Sequence, residues 1–299
     1  MSDTPTGLAL YNKTAQDAAA AVIAAYSTSF ALACRLLGRR VRPHVRNIYA
    51  LVRVADEIVD GPASDAGLDA ASERKVLDEL ENDVLAAIDS GFSANLVVHA
   101  FAVSARECGI GADLVNPFFS SMRTDTLRTE HDTASHNAYV YGSAEVVGLM
   151  CLQAFVNAGR SHPVAPDATL ADGARRLGAA FQEVNFLRDE QDDRARLGRD
   201  YLDLAAQPEA RLAVIDRIDA DLAAAAAAIP LLPADCRRAV TAAHDLFAEL
   251  SRRLRRTSTD GARVRVPDHL KLLLAARAWA GFAPTRTDGP EPARSEVVS

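Results

Sequence analysis

Two acidic stripes carry most of the chemistry this chain can offer. In Gln182-Glu-Val-Asn-Phe-Leu-Arg-Asp-Glu-Gln-Asp-Asp193, helical spacing places Gln182, Asn185, Asp189 and Asp193 at i, i+3, i+7 and i+11, one face over three turns. In Tyr49-Ala-Leu-Val-Arg-Val-Ala-Asp-Glu-Ile-Val-Asp60, Asp56 and Asp60 stand one turn apart among Leu, Val, Ile and Ala. Rows of amide and carboxylate oxygens suit a hard divalent cation, and Mg2+ usually takes one or two carboxylates plus substrate phosphate oxygens. One acidic stripe alone is ordinarily a solvated face. Two, each on an apolar background where a buried carboxylate is costly without a compensating cation or hydrogen bond, point to a cleft whose facing carboxylates hold metal ions.

The elements that must position these stripes are helices. Apolar residues recur at spacings of three and four almost throughout, and alternating strand-like runs are nearly absent. The pattern predicts helices over 14–37, 43–60, 72–90, 93–107, 111–127, 133–158, 167–196, 206–228, 234–256 and 267–281, separated by Gly38, Gly61-Pro62, Gly91, Gly109, Ser161-His-Pro163, Gly198, Pro230 and Pro267. Phe181, Val184 and Leu187 lie between the polar positions of the second stripe and suit packing on neighbouring helices. No repeat and no linker divides the chain. A single all-α domain over residues 1–283 is expected, with 284–299, rich in Pro, Gly, Thr and mixed charge, as a disordered tail.

Composition narrows the function classes. A chain of 299 residues, 49% hydrophobic and 24% charged, reads as globular; its net charge of −7 argues against a nucleic-acid partner. Cys34, Cys108, Cys151 and Cys236 lack C-x-x-C spacing, which favours reduced, mostly buried thiols over a zinc site or disulfide framework. The N-terminus shows no signal peptide and no segment approaches about 18 uninterrupted apolar residues, so a cytoplasmic location without a membrane span is expected. The seven histidines form neither an H-E-x-x-H motif nor a triad, and Gly109-Ile-Gly111 follows a helical segment and lacks the third glycine of a dinucleotide fingerprint.

With both stripes placed, further motifs fall in a recognisable order. Tyr26-Ser-Thr-Ser-Phe30, Arg46…Tyr49…Arg53…Asp56…Asp60, Met122…Asp125, Tyr139-Val-Tyr-Gly-Ser-Ala-Glu-Val-Val-Gly148, Gln182…Asn185…Arg188-Asp189…Asp193 with Gly198-Arg199-Asp-Tyr201, and Arg265-Val-Pro-Asp-His-Leu-Lys271 resemble the successive motifs of the phytoene/squalene synthase family of head-to-head prenyl synthases, most of all its bacterial phytoene-forming branch. The resemblance runs from about Tyr26 to Lys271. Asp203 stands where a proline often follows, Glu145 where glycine is frequent, and Phe247 where tyrosine is frequent; none of these is a metal ligand.

The resemblance implies a class I isoprenoid synthase fold, helices around a central apolar cavity, with two prenyl diphosphates inside. It implies Mg2+, or Mn2+ in its place, on Asp56, Asp60, Asn185, Asp189 and Asp193, with these aspartates and Tyr139 catalytic. Diphosphate contacts would come from Ser27, Ser29, Arg53, Gln182, Arg188 and Arg265, with Arg46 a further donor. Phe30, Tyr49, Met122, Asp125, Tyr141, Ala144, Val147, Gly148 and Phe181 would wall the cavity, and Tyr139, Tyr141, Phe181 and Phe186 could face cationic carbon. The implied reaction makes phytoene from two geranylgeranyl diphosphates through a cyclopropyl diphosphate, without a nicotinamide cofactor. The same chemistry on farnesyl diphosphate, giving squalene or dehydrosqualene, is the alternative, and a non-catalytic scaffold a third. Peripheral contact with a membrane is a further expectation, through the basic residues Arg237, Arg238 and Arg252–Arg256; oligomeric state stays open.

Overall fold

In a computed structural model, residues 5–126, 133–197, 208–257 and 264–287 are described, and they are helical with no strand among them. The helices are α1 (Gly7–Tyr26), α2 (Thr28–Arg35), α3 (Arg42–Val59), α4 (Pro62–Asp65), α5 (Ala70–Ser90), α6 (Leu96–Cys108), α7 (Ala112–Asp125), α8 (Thr133–Val140), α9 (Val146–Asn157), α10 (Ala168–Leu197), α11 (Pro208–Ala228), α12 (Ala234–Arg256) and α13 (Asp268–Trp279). A π-helical turn, Tyr141–Glu145, joins α8 to α9, and a 3-10 turn, Ile229–Leu231, follows α11.

Most predicted helices recur, with two differences that shape the centre of the molecule. The single helix expected over 14–37 starts at Gly7 and breaks at Ser27, whose backbone is extended (φ −144°, ψ 108°). The Ser27 hydroxyl accepts a hydrogen bond from the Phe30 N–H, capping α2 as a new helix. The helix expected over 133–158 is interrupted by the π turn, where the Val146 N–H reaches back to the Tyr141 carbonyl.

Two apolar clusters form the core. One is built from α3, α5, α6, α7 and α9, with Leu51, Leu77, Phe101, Phe118, Phe119 and Met150 among its buried members. The other joins α10, α11 and α12 through Val184, Leu187, Ile215, Ile218, Leu222, Phe247 and Leu254. Arg40 ties α9 to α12: its guanidinium donates to the carbonyls of Phe155 (2.9 Å) and Ala158 (2.8 Å) at the end of α9 and to Asp235 (3.0 Å) at the start of α12. That hydrogen bond holds the Asp235 carboxyl below its usual range.

Glycine lets the π turn and α9 approach α10 at backbone distance. A Cβ on Gly148 would lie 2.4 Å from the Ala174 carbonyl oxygen, and one on Gly178 would lie 2.5 Å from that of Ala144. Gly142 is closer still to α7, where a Cβ would stand 2.3 Å from the Pro117 oxygen. Ser135–Asn157 is long and apolar enough, by length and composition alone, to cross a membrane, although polar residues interrupt it throughout. Its apolarity has a local cause, because it packs on α7 and α10 while also facing a cavity.

Residues 284–287 depart from the disordered tail expected to begin there. The Thr285 N–H and hydroxyl both donate to Asp245 (2.8 and 2.6 Å), and the Thr287 hydroxyl donates to the Asp219 carbonyl (3.0 Å). Residues 288–299 lie outside the described part. All four cysteines are free, three of them buried.

Backbone-to-backbone contact leaves no slack at the α9–α10 seam. Gly148→Val is expected to destabilise the fold by about 1–3 kcal/mol through overpacking, read as a lowered urea midpoint at unchanged m-value. A variant as stable as the parent would show that the seam is looser than described.

Candidate functional site

Between the two clusters lies a cavity of about 1050 Å³, above the range of about 300–1000 Å³ usual for small-ligand pockets. Its walls are stripes at helical spacing. On α3 they are Val45, Ile48, Tyr49, Val52, Arg53 and Asp56, with Asp60 at the helix C-cap; on α10 they run Leu170, Gly173, Ala174, Leu177, Gly178, Phe181, Gln182, Asn185, Phe186, Arg188 and Asp189. α2, α7, α9, α12 and α13 complete the enclosure. Polar residues gather at one end of both stripes and apolar residues fill the rest, so the site is a greasy tunnel with an acidic mouth.

At the mouth, Asp56 is pushed well above the ordinary carboxylate range by burial and by the neighbouring charges of Asp60 and Asp125, against the opposing pull of Arg53. Asp125, on α7, therefore joins the acidic group and is more than cavity wall, and it accepts a 2.8 Å hydrogen bond from the Tyr139 hydroxyl. On the opposite bank, Asp189 is held by both arms of the Arg188 guanidinium (2.9 and 2.6 Å). Arg53 pairs with Glu57 and lies 4.7 Å over the Tyr26 ring. Ser27 accepts the α2 cap bond and also interacts with the Tyr49 hydroxyl, while burial raises Tyr49.

Below the charged rim sits an aromatic collar. Phe181 stacks on Phe247 at 3.7 Å, and Phe30 meets Tyr49, Phe181 and Phe247 with centroids 6.1–6.3 Å apart. Phe186 packs 5.9 Å from Tyr139 on the adjoining wall. Met122, Ala144, Val147 and Gly148 line the cavity, as do Gln182, Asn185 and Arg265.

Some expected residues are placed elsewhere. Tyr141 does not line the cavity; it is partly buried outside it, with the Arg175 guanidinium 5.7 Å over its ring. The π turn accounts for this, since it shifts the helical register between Tyr139 and Ala144. Arg46 is also absent from the lining; it lies two turns along α3 from Arg53, close enough to influence the Cys34 thiol. Glu145 turns outward to pair with Arg175 at 2.7 Å. The side chains of Ser29 and Asp193, and the Gly198–Tyr201 motif, lie outside the described residues. Among the described residues no three acidic, imidazole or thiol side chains converge into a ready-made metal cluster. Asp56 and Asp60 thus come from one wall of the cavity, and Asn185 and Asp189 from another.

Sequence reasoning missed Ser143 and Asp268, both in the cavity wall, and gave Lys271 a motif but no role. Lys271 bonds Asp268 at 3.0 Å, so a flexible ammonium stands beside the mouth. Only the R-V-P…K spacing signalled it. Of the histidines, His44 hydrogen-bonds Ser104 (3.0 Å) and His244 contacts Asp245 and the Leu222 carbonyl (both 3.1 Å), which are packing roles.

The donor set fits a divalent cation. Hard carboxylate oxygens are crowded at low dielectric on the α3–α7 side, amide and carboxylate oxygens face them from α10, and cationic Arg53, Arg188 and Arg265 flank the opening. Arg53, Arg188 and Arg265 offer an anion some positive charge there, and a cation shared with phosphate oxygens would add more.

Comparison with known proteins agrees. A family model described as squalene/phytoene synthase matches residues 23–205. The chain is 30% identical over 261 residues to a 15-cis-phytoene synthase of Paracoccus sp. (strain N81106 / MBIC 01143), covering 80% of this chain and 82% of that one. It is 30% identical over 258 residues to a phytoene synthase of Rhodobacter capsulatus, covering 78% and 71%. Among solved structures, a dehydrosqualene synthase in complex with ligand superposes with a TM-score of 0.74 at 22% identity, covering 91% and 97% of the two chains. A squalene synthase from Alicyclobacillus acidocaldarius gives 0.66 at 18%, covering 83% and 95%.

Crowding at Asp56 yields a signed expectation. A carboxyl whose folded pKa is raised costs stability above that pKa and none once pH falls low enough to protonate it. Asp56→Asn should therefore raise the melting temperature of cation-free protein near neutral pH, with the gain shrinking as pH falls. The same variant should lose the extra stabilisation that a divalent cation plus diphosphate gives the parent. A lower melting temperature for cation-free Asp56→Asn near neutral pH would contradict this electrostatic account.

Proposed function

Because the chain belongs to the squalene/phytoene synthase family, we propose that it joins two geranylgeranyl diphosphates head to head, through a cyclopropyl diphosphate, to give phytoene. As a member of that family it is a prenyltransferase of isoprenoid biosynthesis.

The observation that supports the C20 substrate is the depth of the cavity along α10. From Asn185 to Leu170 the lining advances fifteen residues, about 22 Å at a rise of ~1.5 Å per residue. An extended geranylgeranyl chain, with sixteen main-chain carbons at roughly 1.2 Å per bond, needs about 19 Å, and a farnesyl chain about 14 Å. The longer tail reaches the floor at Leu170, Gly173 and Ala174. The shorter one leaves an unfilled end about 8 Å deep, which forfeits dispersion contacts along its lining.

Asp56 and Asp60 on α3, with Asn185, Asp189 and Asp193 on α10, would hold Mg2+. When bound there, the ion supplies Lewis-acid stabilisation of charge on the departing diphosphate. Arg53, Arg188, Arg265 and Lys271 would donate to phosphate oxygens, the arginines in bidentate fashion. For Arg188 and Arg53 this means exchanging their contacts with Asp189 and Glu57. The C–O bond breaks with its electron pair leaving on the diphosphate. The allylic cation is then attacked by the double bond of the second substrate, and loss of a proton closes the three-membered ring. Ionisation of the cyclopropyl diphosphate, rearrangement and a second proton loss give the product, so no reductant is needed. The collar of Phe30, Phe181 and Phe247 turns aromatic surface toward the cationic carbon, and the apolar wall keeps out water that would trap it as an alcohol. The Tyr139 oxygen, whose own proton is directed at Asp125, is positioned to take a proton from the cation, as is the departing diphosphate.

Purified protein supplied with Mg2+ and each diphosphate in turn, without NADPH, should turn the C20 substrate into a C40 hydrocarbon identified by mass; product from the C15 substrate alone defeats the proposal. Ala174→Phe, which raises the floor, should reduce C20 turnover at least tenfold while sparing the C15 substrate. Equal losses on both substrates would show that the floor does not measure chain length.

A further inference from the structure

α13 has two apolar faces. Lys271, Leu274 and Ala275 look into the cavity. On the outside, Leu272 is 61% exposed, Leu273 56% and Trp279 64%, and Phe282 in the following turn is 59% exposed. A single exposed apolar residue is ordinary. Four large ones within eleven residues, on the outer surface of a cavity wall, form an uncovered patch of the kind that marks an interaction surface.

Charge indicates what covers it. The Arg238 guanidinium lies 5.9 Å over the Trp279 ring, and that of Arg277 lies 5.3 Å over Phe282. Neither arginine forms an ion pair with another described residue, although the chain as a whole carries −7. Large aromatic side chains with cations at their edges match the boundary between acyl chains and anionic headgroups. We propose that the outer face of α13, with the turn to Phe282, docks on an anionic lipid bilayer, setting one wall of the cavity against the membrane. The functional part of this inference rests on the reading that substrate tails and product are long hydrocarbons. The docking part stands on the patch itself.

The other occupants fit less well. A two-fold partner would bury Arg238 and Arg277 of each copy, four guanidinium groups with no ion pair among the described residues, at a closed interface. The described part of the chain's own C-terminus leaves the patch, because Thr285 bonds to Asp245 on α12 and Thr287 to Asp219 on α11. The basic stretch expected from sequence to meet a membrane is largely engaged elsewhere. Arg252 and Arg253 pair with Glu249, and Arg255 with Asp216 and Asp219.

Trp279 is the only tryptophan in the chain, so its emission reports on the patch directly. Full-length protein titrated with phosphatidylcholine vesicles containing phosphatidylglycerol should show a blue shift. Lipids brominated in the acyl chains should quench it, and phosphatidylcholine alone or high salt should largely abolish the shift. Arg238→Gln with Arg277→Gln should weaken vesicle affinity at least tenfold, with helix content and C40 product from detergent-dispersed substrate unchanged. Emission indifferent to vesicles overturns the proposal, and so does a blue shift that follows protein concentration without lipid, which would assign the patch to a second copy. Because emission is read without turnover, loss of docking and failure of the C40 assay are separate results.

Discussion

Negative charge held at the mouth of an apolar tunnel is the constraint from which the rest follows. Asp56, Asp60 and Asp125 crowd one bank at low dielectric, and the first of them is driven well away from its normal protonation equilibrium. Burying like charges together is destabilising, and Arg53 offsets only part of it at Asp56, so a bound cation would relieve this bank further. The α10 bank supplies the complementary half, with Asn185 and Asp189 facing the opening and Arg188 holding Asp189 in place. Among the described residues neither half gathers three acidic, imidazole or thiol side chains into a metal cluster. Both halves line the same cavity, so a diphosphate that brings its own oxygens could share cations with each of them.

The architecture answers the other requirement, a long dry space beneath that charge. A helical protein ordinarily fills its centre with interdigitating side chains. Here the two apolar clusters stay apart while α9 and α10 close against each other at Gly148 and Gly178 on one side of the gap. The break at Ser27 turns Phe30 into the same space, where it meets Phe181 and Phe247. Small residues on the seam and large ones on the collar thus divide the labour between closing the wall and shaping the tunnel.

Much of this was legible in the residues. Both acidic stripes read as helix faces because 3.6-residue periodicity fixes which side chains share a face, and the lining of α3 and α10 follows that periodicity from end to end. What was not legible depends on departures from regular helix. Ser27 breaks a helix with no glycine or proline to announce it, only a hydroxyl three residues ahead of an N–H that needs a partner. The π turn inserts a register shift that no composition signals, and it separates Tyr139, which faces the cavity, from Tyr141, which does not. Arg46, expected as a further diphosphate donor, lies two turns along α3 from Arg53 and is not among the residues lining the cavity. The strap at Thr285 and Thr287 depends on the Asp245 carboxylate and the Asp219 backbone carbonyl, forty and sixty-eight residues away, contacts that local pattern does not encode.

The central claim, that α3 and α10 share cations around one diphosphate, is tested most directly by anomalous scattering from crystals grown with Mn2+ and a non-ionisable thiolo analogue of the prenyl diphosphate. The account predicts Mn2+ peaks between the two banks, with Asp56 or Asp60 on one side, Asn185 or Asp189 on the other, and the prenyl tail lying beneath them along α10. Peaks confined to the outer surface, or a diphosphate bound with its tail outside the tunnel, would contradict it.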